Sequence, residues 1–188
     1  MNAPIDRGPW MQTYSGLAFY LLDPRPEEVR LRDIAHALAL SNRFLGHTFV
    51  PYPVAQHCVV GSYLVPPEHA FEFLMHDSGE AYYGDMSAPF KMALRALGGD
   101  TAVRQIVVGV DGAIEKRFGV RIVSKIEAVK WIDLTMLATE ARDLMGPPPL
   151  PWARLPDPAA QQLEPWGWEQ AEAKFVERFL ELGGGHKA

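Results

Sequence analysis

Cysteine is almost absent from this 188-residue chain, where Cys58 stands alone. A single cysteine cannot close an intrachain disulfide, so no disulfide framework holds the fold. A reducing, cytoplasmic setting is therefore expected. Long apolar runs are missing too. None approaches the ~20 residues that a bilayer-spanning helix requires, so no membrane partner is expected. The stretch from Met1 to Tyr14 lacks the basic-then-apolar layout of a secretory leader. Nor is there any excess of positive charge: 18 Lys and Arg stand against 23 Asp and Glu, a formal net charge of -5. A duplex-binding protein carries the opposite balance, so nucleic acid is not an expected partner. No internal repeat and no convincing pair of alternating strands occurs. Hydrophobic residues nevertheless make up 48% of the chain and charged residues 22%, which excludes general disorder.

What is present is helical periodicity, broken by proline and glycine. The reading is all-α: one unit over residues 1–188, with a core of about 24–145 and a proline-rich segment and helix over 146–184. Residues 1–23 read as an irregular arm with a short extended piece. Pro24 and Pro26, followed by Glu27 and Glu28, mark a helix start. Val29, Ile34, Leu38 and Leu40 continue it to a stop before Gly46. The next helix spans Val54 to Leu64, and Pro66-Pro67 separates it from a third. That third helix carries Ala70, Phe71, Leu74 and Met75 into His76-Asp77, with Gly79 weakening it but not ending it. A short helix runs from Phe90 to Leu97, closed by Gly98-Gly99. Two longer ones cover 101–117 and 121–144 at three-and-four spacing. Residues 146–166 are a proline-rich, non-helical crossing, and an amphipathic helix from Trp168 to Leu182 closes the chain.

The densest chemistry lies at His76-Asp77-Ser78-Gly79-Glu80, followed by Asp85. In a helix His76 and Glu80 share a face, with Asp77 roughly 100° round from His76. One metal ion above that edge would reach both members of the pair, leaving Glu80 as a proton carrier beside activated water. The plainer alternative is a cap or surface patch with His76 satisfied in the core, since a lone His-Asp pair is common. Two further residues bear on the choice. His57 lies inside the apolar Val54–Leu64 helix, and Asp133 lies in the apolar stretch Val129-Lys130-Trp131-Ile132-Asp133-Leu134. A buried carboxylate is costly unless paired or metal-bound. Each residue alone is more often partly exposed. Together, two imidazoles and two carboxylates suit a divalent manganese, cobalt, zinc, iron or magnesium ion. Four such ligands in an octahedral shell leave two positions open. Cys58, next to His57, reads as a small buried hydrophobe.

The order His57, then His76-Asp77, then Asp133 resembles the H…HD…D signature of the HD-domain metal-dependent phosphohydrolases. The likeness is to the 5'-deoxynucleotidase branch and its phage-type deoxynucleoside triphosphate hydrolase relatives. The stretch from His76 to Lys91 resembles that branch's HD-x-x-E-x-x-x-G-D-x-x-x-P-x-K pattern. Val54-Ala55-Gln56-His57-Cys58 is similar to its V-A-E/Q-H-S segment, and Ile34-Ala35-His36-Ala37-Leu38 with Arg43-Phe44 to the region before it. The resemblance covers about residues 28–140.

It implies an HD-domain helical bundle with His57, His76, Asp77 and Asp133 holding the metal. Glu80 would be the catalytic acid or base, with Asp77 catalytic as well as a ligand. Arg43 would clamp a phosphate, Asp85 would face the sugar 3'-hydroxyl, and Lys91 would add charge near the phosphate. The substrate implied is a nucleotide, first a (deoxy)nucleoside monophosphate. The alternatives are a deoxynucleoside triphosphate, another small phosphoester, and a non-enzymatic module that keeps a metal for structure or sensing. A homodimer or higher homo-oligomer is implied too. Phe44 departs from the family pattern, in which tryptophan usually follows the arginine beside the sugar and base. His36 has two readings: a substrate contact in the cleft, or a buried histidine satisfied near its helix end. Tyr82 and Tyr83 likewise line a base pocket or pack in the core.

Overall fold

The computed structural model describes residues 7–122 and 126–184. The first six residues of the expected N-terminal arm, residues 123–125 of the helix expected from 121, and the last four residues lie outside the described ones.

The arm contains a small hairpin that the sequence pattern does not announce. Strands β1 (Trp10–Gln12) and β2 (Ala18–Tyr20) pair antiparallel, with Met11 opposite Phe19. Three-residue strands are too short to show an alternation in sequence. The hairpin matters because Phe19 is fully buried and stacks on Tyr82, with ring centroids 3.9 Å apart. The turn is tied down by Asp33, whose carboxylate accepts from the Ser15 backbone N–H at 2.6 Å and from its hydroxyl at 2.8 Å.

The expected first helix is a single 3-10 turn at Pro26–Glu28, followed by α1 (Leu31–Leu40). Helix α2 (Val54–Leu64) has the predicted bounds and is buried along most of its length. The predicted third helix divides. Helix α3 (Ala70–Met75) and α4 (Glu80–Tyr83) are joined by a tight turn over 76–79. There, N–H to C=O bonds run from Ser78 to Met75 and from Glu80 to Asp77, closing over three residues instead of four. Such a turn advances about 120° per residue, so His76 and Glu80 do not share the clean helical face that was expected. Helices α5 (Ala88–Ala96) and α6 (Asp100–Phe118) come next, the first capped by the Ser87 hydroxyl. Helix α7 (Glu127–Leu144) begins later than the expected 121, and α8 (Trp168–Glu181) matches its prediction closely. Among the described residues, no helix is long and apolar enough to cross a membrane.

Helix α8 lies across α1, α2 and α3. Its Ala171, Phe175 and Phe179 are fully buried with Ile34, Leu38, Val59 and Met75. A smaller core of Val65, Ala70, Phe73, Val129 and Met136 joins α3 to α7. Between α7 and α8 the chain runs without helix, pinned by polar side chains. Arg142 donates to the carbonyls of Ala159 and Gln161, Asp143 accepts from the Leu163 N–H, and Thr139 accepts from the Ala159 N–H. Gln56 on α2 donates to the Glu164 carbonyl and accepts from the Trp166 N–H, both at 2.8 Å. Prolines cannot form these bonds with one another, so the crossing takes its path from its neighbours.

One contact between α2 and α3 sets the seat of two histidines. Gly61 gives the Phe73 ring room against α2, because a Cβ at that position would overlap the ring. Phe73 in turn supports both imidazoles, its ring centroid lying 5.7 Å from that of His57 and 4.7 Å from that of His76. A mid-helix Gly→Ala change ordinarily stabilises by about 1 kcal/mol. Gly61→Ala should instead destabilise by about 1–3 kcal/mol, the usual range for overpacking, because the fully buried Phe73 has nowhere to go. Urea unfolding measures the sign, and a gain in stability would show that α3 is free to shift.

Candidate metal centre

Four segments converge on one cluster of side chains. Helix α2 supplies His57, the turn after α3 supplies His76 and Asp77, α7 supplies Asp133 and Glu140, and the loop after α1 supplies Arg43. His57, His76 and Asp77 each place one ligand-type atom within 4.8 Å of the others. His57 Nε2 lies 3.8 Å from Asp77 Oδ2 and 3.4 Å from Asp133 Oδ1. His76 Nε2 lies 3.2 Å from Asp77 Oδ1 and 3.8 Å from Asp133 Oδ1. Two imidazoles thus face two carboxylates across a gap of ligand size.

The tautomers are determined by partners that can only accept. His76 Nδ1–H donates to the Phe73 carbonyl at 2.6 Å. His57 Nδ1–H donates to Glu140 Oε1, also at 2.6 Å. In each neutral ring the lone pair therefore sits on Nε2, which points into the gap. Both Nε2 atoms are buried and have no hydrogen-bond partner. Orphaned buried nitrogens are rare in folded proteins, and an imidazole whose other nitrogen is anchored to a carboxylate or carbonyl is the usual arrangement of a metal-ligating histidine. The residues fit a divalent cation, and the mixed nitrogen and oxygen donors suit the borderline and hard ions of the first row.

Without a cation the charges compensate one another. Burial and the Arg43 charge disfavour protonated His57, but Glu140 and Asp133 outweigh them and hold its pKa up at about 9. His76 is raised as well, against burial, by Asp77 and Asp133. Burial disfavours ionised Asp133, yet the His57 and His76 imidazoles facing it, at 3.4 and 3.8 Å, hold it well below the carboxylate range. Glu140 is also lowered against its burial, by Arg43 and His57.

Glu140 was not singled out from the sequence. It lies seven residues after Asp133, two turns along the same face of α7, and an acid in the apolar run Leu137-Ala138-Thr139-Glu140-Ala141 was the signal available. The side chain is fully buried, and its Oε2 accepts from Arg43 Nε at 3.0 Å. Arg43 NH1 lies 4.0 Å from Asp77 Oδ2. The loop carrying Arg43 is held at its base, where the Arg43 N–H donates to the Tyr52 carbonyl, and farther along, where the Phe49 N–H donates to the Leu144 carbonyl. Phe44 and Leu45 have φ of +55° and +53°, the left-handed region that side chains seldom occupy.

The remaining candidates have varied surroundings. Glu80 is buried, with Oε2 unpartnered, and burial together with Asp77 and Asp85 pushes its pKa up to about 10. Asp85 is half-buried and raised by burial, with Asp77 adding to the shift and Arg43 and Lys91 opposing it, so it lies within the field of the cluster. Lys91 is exposed on α5 but acts on both Glu80 and Asp85. The Phe44 ring lies beside Trp152 of the crossing, at 6.1 Å between centroids. His36 is not brought to the cluster. Its Nδ1 meets Glu172 of α8 at 2.9 Å, and its ring stacks on Tyr14 at 3.7 Å. His36 is half-buried in the middle of α1 and not buried at its end, and α8, which packs on that face of α1, supplies its partner. Tyr82 packs on Phe19, and the Tyr83 hydroxyl donates to Asp111, so both tyrosines lie in the packing.

No family model matches the chain. Its relatives include the uncharacterized protein YfdR of Escherichia coli (strain K12), 38% identical over 176 residues that cover 92% of this chain and 95% of that one. They also include the uncharacterized protein RCAP_rcc00048 of Rhodobacter capsulatus, 30% identical over 149 residues that cover 73% and 74% of the two chains.

The raised His57 pKa fixes the pH dependence of metal uptake. At neutral pH the metal-free imidazole carries two protons, and the one on Nε2 must leave before a cation can bind. Affinity for Co²⁺ should therefore rise from pH 7 towards pH 9 by about tenfold per unit for one displaced proton, and flatten near the His57 pKa of about 9. Calorimetry at pH 7 in buffers of different ionisation enthalpy should show at least one proton released, with raised His76 adding to the count. An affinity that does not change over this range would contradict the assignment of His57 as a ligand.

Proposed function

The chain belongs to the family of YfdR and RCAP_rcc00048, and from the site it carries we propose a metal-dependent phosphohydrolase of HD-domain type acting on nucleotides. The observation that carries this reading is the pair of orphaned Nε2 atoms facing two carboxylates, with a buried arginine and a buried carboxyl at the edge. His57, His76, Asp77 and Asp133 would hold the ion. A divalent cation there would polarise a phosphoryl oxygen and lower the pKa of water.

The rest of the chemistry belongs to the chain. Arg43 offers its remaining guanidinium N–H groups on the Asp77 side of the cluster and neutralises phosphate charge. Glu80, held protonated at neutral pH by burial and by Asp77 and Asp85, donates a proton to the leaving oxygen. Asp85 accepts from a sugar hydroxyl, and exposed Lys91 adds positive charge at the mouth. The Phe44 ring, 5.7 Å from the Arg43 guanidinium and beside Trp152, would offer apolar surface to the nucleoside. The substrate proposed first is a (deoxy)nucleoside monophosphate, released as nucleoside and phosphate. A single HD-type unit spanning the chain, assembled as a homo-oligomer in the cytoplasm, completes the proposal.

The test is phosphate or pyrophosphate release from deoxy- and ribonucleoside mono-, di- and triphosphates. Metal-stripped protein is supplied with manganese, cobalt, zinc or magnesium singly. Turnover of one nucleotide class with at least one metal is expected. Asp77→Ala should lose metal binding and turnover together, by more than the ~10–100-fold that removal of a ligand's supporting partner costs. Near-parental activity in metal-free Asp77→Ala, or no turnover on the whole panel by metal-loaded protein, would overturn the proposal.

A further inference from the structure

We infer that Glu140 is a positioning residue that couples the metal ligands to the phosphate-binding arginine, and that its specific task is to keep Arg43 off Asp77. The inference rests on the proposed metal site but not on the choice of nucleotide.

Glu140 is fully buried, and each of its oxygens has one partner: Oε1 accepts from His57 Nδ1–H and Oε2 from Arg43 Nε–H. One side chain on α7 therefore orients groups from two other elements, the ligand His57 on α2 and Arg43 on the loop after α1. Arg43 is itself largely withdrawn from solvent, its side chain 13% exposed, so its charge is best matched by an anion. The next carboxylate within reach is Asp77, 4.0 Å from NH1. Asp77 is also one of the three residues whose ligand atoms cluster. If the guanidinium closed on Asp77 it would occupy an oxygen that a cation needs. Glu140 prevents this by holding the opposite edge of the fork.

The chemistry of glutamine makes the idea testable. Both partners of Glu140 are donors, and an amide has only one acceptor oxygen. Glu140→Gln fills the same volume but can accept from only one of the two N–H groups; it keeps both partners only if His57 moves its proton to Nε2 and so loses the ligand lone pair, and in either case the guanidinium charge lacks its counter-ion. Arg43 should then turn to Asp77 and compete with the metal.

The probes are Co²⁺ alone, followed by its visible absorption, and inorganic phosphate added to the Co²⁺-loaded protein. Neither readout requires turnover, so a failure of nucleotide hydrolysis and a failure of this inference remain distinguishable. Glu140→Gln should bind Co²⁺ about 10–100-fold more weakly than the parent and lose phosphate affinity as well. Adding Arg43→Ala to Glu140→Gln should restore part of the Co²⁺ affinity, because the competitor for Asp77 is gone. A purely structural Glu140 predicts the reverse, a double variant weaker than Glu140→Gln. Parental Co²⁺ affinity in Glu140→Gln, or no recovery in the double variant, would overturn the inference. Should Glu140→Gln fail to fold by circular dichroism, the comparison passes to Arg43→Ala against the double variant. Arg43→Ala leaves His57 anchored and should bind Co²⁺ at least ~10-fold more tightly than the double variant. Equal affinities would overturn the inference in that case.

Discussion

A carboxylate with no access to water holds this site together. Glu140 lies on α7, its partners on α2 and on the loop after α1, and it and His57 are fully buried, so neither of these two has solvent as an alternative. Removing one member of a buried ion pair typically costs about 3–5 kcal/mol, because the other is left charged and unpaired. The three segments are therefore locked in relative position by electrostatics as well as by apolar packing. This lock also determines which His57 nitrogen is free. Had Nδ1 faced solvent or a donor, nothing would orient the lone pair of Nε2 towards His76, Asp77 and Asp133.

The backbone around the site is less relaxed than the helices that carry it. Phe44 and Leu45 are consecutive left-handed residues, a conformation that costs roughly 1–2 kcal/mol for each non-glycine residue. They directly follow Arg43, and the loop is closed by hydrogen bonds to Tyr52 and Leu144. The turn over 76–79 is wound more tightly than an α-helix, and it carries His76, Asp77 and the entry to Glu80. Strain of this kind persists where surrounding packing over-determines the chain. Here the packing is visible: Phe73 sits against Gly61 and beneath both imidazoles, and α8 covers α1, α2 and α3.

Charge is divided across the cluster in a way that separates roles. Asp133, which faces the imidazoles, and Glu140, which accepts from His57 Nδ1–H, are held ionised by nearby cationic groups. Glu80, farther along the same chain segment as His76 and Asp77, is held neutral by burial and by its own acidic neighbours. Acids held ionised and an acid held protonated thus lie close together in one cluster, the separation that the proposed metal-binding and proton-donating roles would use. Exposed Lys91 and half-buried Asp85 are near enough to act electrostatically on this group of acids.

Much of the helical framework was legible in the chain. Helix α2 begins after Pro53 and ends before Pro66-Pro67, and α8 runs from the Trp168 region to a glycine stop, because proline and glycine act locally. Local signals also made His57, His76, Asp77 and Asp133 candidates, since polar ionisable groups inside apolar helical stretches need partners. They did not reveal the β1–β2 hairpin, whose strands are three residues long, or the break between α3 and α4, where the turn over 76–79 closes over three residues instead of four. Nor did they decide between the two readings of His36, which depended on whether α8 would bring Glu172 to it. Glu140 shows the division most plainly. Its position two turns from Asp133 is written in the sequence, but its partners lie 83 and 97 residues away. Periodicity determines which face of a helix a residue occupies, whereas only the packing of α2, α7 and the Arg43 loop determines what that face meets. The reason is physical: helix formation is governed by neighbours three and four residues away, and the geometry of a site by contacts whose separation along the chain carries no local signal.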